Sequence, residues 1–180
     1  MPLPLTRRQI LLGCAASALL PGLGRAASPR AEPVGPVLLT VDGKISWSNA
    51  TNANGAREIQ LDGAMIDAFP QVSVTTDTWW EPGVHTYRGP LLRDVLAACG
   101  ADLSQGTFRA HALNDFAANI PMEDLLRWQV LLARFIDEQP LPRRTKGPLW
   151  IMYPRRGEPA LERASIRNRW VWQLDRITLS

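Results

Sequence analysis

Proline constrains this chain more than any other residue. Fifteen prolines are spread over 180 residues, among them Pro70, Pro82, Pro90, Pro121, Pro140, Pro142, Pro148, Pro154 and Pro159. A proline inside a helix removes one hydrogen bond and clashes with the preceding turn, so long helices have no room and a helical bundle is excluded. Short apolar runs lie between the prolines, and 46% of residues are hydrophobic, enough to bury a core. The length allows one domain. The body of the chain has no apolar run of about 18 residues, so no membrane span is expected there.

The basic balance comes from the first residues. Of 20 basic and 17 acidic residues, Arg7, Arg8 and Arg25 lie within residues 1–27, which hold no acid. The remainder is neutral, and nucleic-acid binding loses its main support. Residues 1–27 read as an export signal: Thr6-Arg7-Arg8, then an apolar run from Ile10 to Leu20, then small residues ending at Ala26 and Ala27, where cleavage is expected. Thr6-Arg7-Arg8-Gln9-Ile10-Leu11-Leu12 is similar to the twin-arginine motif; a general secretory signal with two adjacent arginines is the alternative. Too few apolar residues precede Cys14 for Leu11-Leu12-Gly13-Cys14 to serve as a lipobox. The expected destination is the periplasm, with no span after cleavage. Cys99 is then the only cysteine left, so no internal disulfide forms.

Residues 28–36 are Pro-rich and read as a linker, leaving 37–180 as the domain. Within it the remaining charge is uneven. Residues 28–138 carry 8 basic and 14 acidic residues, and residues 139–180 carry 9 and 3. Two solvated faces that attract each other explain this; a basic wall facing an anionic ligand is the alternative.

Strands are expected at Val37–Val41, Glu58–Leu61, Gln71–Thr76, Val130–Ile136, Leu149–Tyr153 and Trp170–Leu179. Thr107–Ala112 and Phe116–Ile120 read as a hairpin around Asn114-Asp115. Asp62 caps a short helix, Pro121–Trp128 forms another, and 48–56 is a polar loop. The clearest helix runs from Gly89 to Gly100, with Pro90 at its first position and Gly100 past its end. Cys99 beside its apolar stripe reads as a small buried residue. The fold class is α+β, with mixed, strongly bent sheets and a few short helices.

No phosphate loop, nucleophile elbow or zinc-helix motif occurs. The one local concentration of chemistry is Thr76-Asp77-Thr78-Trp79-Trp80-Glu81 with Gly83-Val84-His85, placed in a loop at a strand end. Such loops line binding clefts. Equally, both indoles can cover the core, and His85 can be a surface residue, since no second metal ligand stands near it. Arg143-Arg144-Thr145-Lys146-Gly147 and Arg155-Arg156-Gly157 are basic turns of a kind that can hold a phosphate.

Together these segments resemble the molybdopterin-binding domain of the sulfite oxidase family. The resemblance covers residues 37–180. Val130-Leu131-Leu132-Ala133, Gln139-Pro140-Leu141-Pro142-Arg143 and Gly147-Pro148-Leu149-Trp150-Ile151-Met152-Tyr153-Pro154 follow the family's order of a Leu-Leu-Ala strand, a Gly-x-Pro-Leu-Pro turn, a Gly-x-Pro turn and a strand ending in proline. Gly89-Pro90-Leu91-Leu92-Arg93-Asp94-Val95-Leu96 is similar to its Gly-x-Pro-Leu helix. Phe116-Ala117-Ala118-Asn119-Ile120-Pro121 is similar to its Tyr-x-x-Ser-Ile/Leu-Pro run.

The resemblance implies an exported molybdopterin-dependent oxidoreductase-like domain. It also implies a missing ligand. The family holds molybdenum through a cysteine thiolate, a soft ligand placed about a dozen residues before that helix. Counting back from Gly89 reaches Thr76 or Asp77, and Phe116 stands at the place of the family's active-site Tyr. The site is therefore expected to be catalytically degenerate, with molybdopterin or no cofactor bound; a third reading is a purely structural accessory subunit. The alternative function is a cofactor-free periplasmic ligand-binding or sensory module. The expected cleft comprises Thr76, Asp77, Trp79, Trp80, His85, Asn114, Asp115 and Phe116. Its partner is a small molecule, or a membrane-associated sensor or redox protein.

Overall fold

The computed structural model describes residues 30–180, so the expected export signal lies outside the described residues. Among the described residues, three sheets are built from twelve strands. The first contains β1 (Val37–Gly43), β2 (Ala50–Thr51), β3 (Arg57–Asp62), β6 (Thr107–Ala112), β7 (Ala117–Pro121) and β12 (Leu174–Leu179). The second contains β4 (Gln71–Asp77), β5 (Val84–Pro90), β9 (Phe135–Ile136) and β10 (Gln139–Pro140), and β8 (Leu131–Ala133) pairs with β11 (Trp150–Met152) in the third. The helices are short: α1 (Gly63–Asp67), α2 (Leu92–Cys99), α3 (Met122–Arg127) and α4 (Ala164–Arg167). This is the α+β class, with the strand order β2-β3-β1-β12-β6-β7 in the largest sheet.

The sheet is mixed because β1 runs parallel to β12, while every other neighbour in it is antiparallel. Leu39, Val41, Ile59, Leu61, Phe108 and Ile177 bring the inward faces of this sheet into one core with Leu92, Val95 and Leu96 of α2. Cys99 is 1% exposed, and burial pushes its thiol up to about 12. Asp62 caps α1 by accepting from the Met65 amide at 2.9 Å. The same carboxylate accepts from the amides of Val34 and Gly35, at 2.9 and 2.8 Å, so the Pro-rich segment is tied down at its end. Burial works to raise the Asp62 pKa, but these amides outweigh it and hold the group below its ordinary value.

Four expectations need correction. Val84–Pro90 is a strand, not loop and helix start: α2 begins at Leu92 with Leu91 as its cap, so Pro90 lies before it. The reason is Gly89. A Cβ at this position would overlap the Leu132 carbonyl oxygen, and the close approach draws Gly89-Pro90 into the sheet beside β8. Val130–Ile136 divides into β8 and β9, where the Arg134 amide turns to bond the Arg88 carbonyl at 2.9 Å. The last strand begins at Leu174, because Gln173 has φ +52°. The polar loop 48–56 contains the two-residue β2. Gly100, by contrast, ends α2 with φ +96°, the left-handed conformation a glycine adopts without strain.

Candidate functional site

The site grows from the end of the β4–β5 hairpin. The connecting loop, residues 78–83, is folded by Thr78, whose hydroxyl accepts from the amides of Trp80 and Glu81 at 3.2 and 2.9 Å. This turn sets the adjacent indoles of Trp79 and Trp80 edge to face, with centroids 5.5 Å apart. Both then meet tryptophans from distant parts of the chain. Trp79 packs on Trp170 at 5.3 Å, and Trp80 on Trp172 at 5.0 Å, Trp170 at 5.9 Å and Trp150 at 6.2 Å. Tyr153 stacks beneath Trp170 at 5.6 Å. Each ring packs against the core, and each also lines a cleft.

Cations from residues 139–180 lie over these rings. The Arg155 guanidinium stands 4.6 Å from the Trp79 ring, and Arg167 5.4 Å from Trp79 and 5.7 Å from Trp80. The Lys146 ammonium lies 3.8 Å above Trp172. Arg155 also donates to the Asp77 carboxylate and, at 2.9 Å, to Glu162. Next to it, the Arg156 amide donates to the Thr76 hydroxyl at 3.0 Å. The basic turn at 155–157 is therefore stitched to the end of β4.

Two clefts adjoin at Trp80. The first, about 680 Å³ and open, is lined by Asp77, the 78–83 loop, Val84 and Arg156. The second, about 370 Å³, lies between Trp170 and Trp172 on one side and Asn114 and Phe116 on the other, with Arg167 and Asn168 at its edge. Of the residues expected to form one cleft, Asp77, Trp79 and Trp80 line the first and Asn114 and Phe116 the second, again with Trp80. Three lie off both linings. Thr76 is fully buried. Asp115 occupies the β6–β7 turn with φ +66°. His85 sits in β5 opposite Thr76. Its Nδ1 is 2.6 Å from an Asp137 carboxylate oxygen and its Nε2 2.9 Å from the Pro82 carbonyl oxygen. The Asp137 hydrogen bond, more than any other influence, raises the His85 pKa.

Sequence reasoning missed Arg167, Asn168, Trp170 and Trp172 as site residues. One signal was available: Trp170 and Trp172 are two apart, a spacing that puts extended side chains on one face. Nothing local marked α4, which carries Arg167.

The donor set can be compared with what a molybdenum centre requires. Among the described residues no group of three or more His, Cys, Asp and Glu side chains could hold a metal ion. Thr76 offers a buried hydroxyl, and Asp77 offers a carboxylate already neutralised by Arg155. Cys99 points into the core and keeps its proton. These residues do not fit a molybdenum held through a protein thiolate.

Mixed sheets with a few short helices and a cleft at the end of the β4–β5 hairpin are the architecture of a molybdopterin-oxidoreductase type of fold. The family model "oxidoreductase molybdopterin binding domain" matches residues 65–157, just over half of the chain, and the chain belongs to this family. Among solved structures 28 chains match. One is the sulfane dehydrogenase SoxCD from Paracoccus pantotrophus, with TM-score 0.55 and 16% identity, over 78% of this chain and 37% of that one. At that identity the likeness is one of fold, and this chain spans little more than a third of the SoxCD chain. No curated protein matches.

Proposed function

We propose that this chain is an exported, catalytically degenerate domain of the molybdopterin-oxidoreductase family that works as a periplasmic ligand-binding module. The observation that carries the reading is the pairing of Asp77 with Arg155. The counted place of the family's thiolate falls on Thr76 or Asp77, a buried hydroxyl and a carboxylate paired with an arginine that is in turn held by Glu162 and the Trp79 ring. A carboxylate engaged in this way is a poor donor to a metal. The clefts beside it keep aromatic walls and cations, which serve binding without a metal. Export rests on the character of residues 1–27.

The test is the metal and pterin content of the protein purified from the periplasm of a molybdopterin-producing host. No molybdenum and no fluorescent pterin oxidation product is the expected result. Molybdenum near one per chain would overturn the reading and make Asp77 a ligand. Asp77→Cys, in the same host, distinguishes a lost ligand from a lost cleft: retained molybdenum in the variant means that the pterin still has its place.

A further inference from the structure

We infer that the cleft between Trp80, Trp172 and Phe116 binds a small planar aromatic carboxylate, with Arg167 as the charge that receives it. The inference deepens the ligand-binding reading above and rests on it.

The lining is chemically one-sided. Three indoles and the Phe116 ring supply flat apolar walls, and Phe116 is 43% exposed, an apolar ring left open to solvent at the cleft's edge. The polar members are Asn114, Asn168 and Arg167, and no carboxylate is among the lining residues. Arg167 has no carboxylate within 4.0 Å among the described residues. Its guanidinium is instead parked over the Trp79 and Trp80 rings, which orient it without neutralising it. The Asn114 carbonyl oxygen accepts from the Phe116 amide at 3.2 Å, which leaves its NH₂ group to donate. Flat apolar walls, donors and a free cation, with no anion, match a ring that carries a carboxylate. A neutral ring would satisfy the walls and leave Arg167 unpaired. A small inorganic anion would satisfy Arg167 and leave the walls wet. The volume, about 370 Å³, lies near the lower end for ligand pockets, so the ligand has one or two fused rings.

The test uses 2-naphthoate and its neutral isostere 2-naphthamide, titrated calorimetrically into the mature protein at low salt. Expected is saturable one-site binding of the naphthoate, about tenfold or more tighter than the amide, as one charge-assisted hydrogen bond requires. Arg167→Gln should erase that preference, and Arg167→Lys should restore part of it. Arg167 is exposed at the end of α4, so these variants should fold as the parent does. Trp172→Ala should weaken both probes together. No saturable binding, equal binding of acid and amide, or an Arg167→Gln variant that keeps the preference would each overturn the inference. Molybdenum content, measured on the same preparation, reports separately on the degenerate-site reading.

Discussion

Trp80→Ala tests whether the cleft is built on the core or merely beside it. The Trp80 ring has four indole neighbours with centroids between 5.0 and 6.2 Å: Trp79, Trp150, Trp170 and Trp172. Truncating a fully buried tryptophan costs about 3–5 kcal/mol. Trp80 is only half-buried and lines both clefts, so roughly half of that transfer contribution applies. Favourable aromatic pairs add about 0.5–1.5 kcal/mol beyond area. The expected loss is therefore about 2–4 kcal/mol, against about 5–15 kcal/mol for a whole domain. Urea unfolding should be followed by far-UV circular dichroism, because the substitution alters the fluorescence itself. Trp80→Phe should recover at least half of the loss. A loss below about 0.5 kcal/mol for Trp80→Ala would refute the packing argument, since surface substitutions fall in that range. Trp79 and Trp80 touch, so their truncations will not add.

Nuclear magnetic resonance titration of the two histidines should place His85 above the usual 6.5, and Asp137→Asn should bring it down. Because the folded value is raised, the His85 contribution is complete below about 6.5 and is lost as pH rises through the folded value. Asp137 is held low by the Thr86 amide first and His85 second, so its contribution is lost only as pH falls through that lowered value. The hydrogen bond to Pro82 should therefore loosen with rising pH, seen as faster proteolysis in residues 78–83; an unshifted His85 would refute the pairing. Asp124→Ala should cost about 3 kcal/mol, because it leaves Arg169 and the buried Tyr153 hydroxyl without their acceptor. A loss under about 1 kcal/mol in urea unfolding would show that water replaces the carboxylate. In a Cys14→Ser chain, Cys99 should resist an aromatic disulfide reagent until the protein is unfolded, and rapid labelling in native buffer would contradict its burial.

Local rules made most of the fold legible. Apolar, alternating and β-branched runs marked β1, β3, β4, β6 and β12, Asp62 marked a helix start, and Gly100 marked a helix end. What failed depended on contacts far along the chain. Pro90 has the local signature of a helix start, yet Gly89 must lie against the Leu132 carbonyl, 43 residues away, so the pair belongs to β5. The candidate site divides in the same way. Asp77, Trp79 and Trp80 form a contiguous cluster that any reading finds. Their partners Arg155, Arg167, Trp170 and Trp172 arrive from the other end of the chain, and only the tertiary fold brings them together. His85 drew notice as a neighbour in sequence, but strand alternation and the Asp137 turn take it off both linings.

The uneven charge is resolved by the same geometry, and neither of its two readings accounts for it alone. Three arginines of residues 139–180 reach across to the acidic segment: Arg155 to Asp77, Arg169 to Asp124, and Arg176 to Asp42 and Glu58. These pairs join the last part of the chain to β1, β3, β4 and α3, so attraction between the two faces serves the fold. Six other cations in that segment have no carboxylate within 4.0 Å among the described residues, and three of them, Lys146, Arg156 and Arg167, line a cleft or lie over its tryptophans. Pairing is complete where the segment is anchored, and Lys146, Arg156 and Arg167 stay unpaired beside the clefts. A fold that needed charge only for cohesion would have no reason to hold Arg167 over an indole, oriented and unneutralised. The unpaired cation at the second cleft is thus what remains after folding has used its share, and an anion is the species that would complete it.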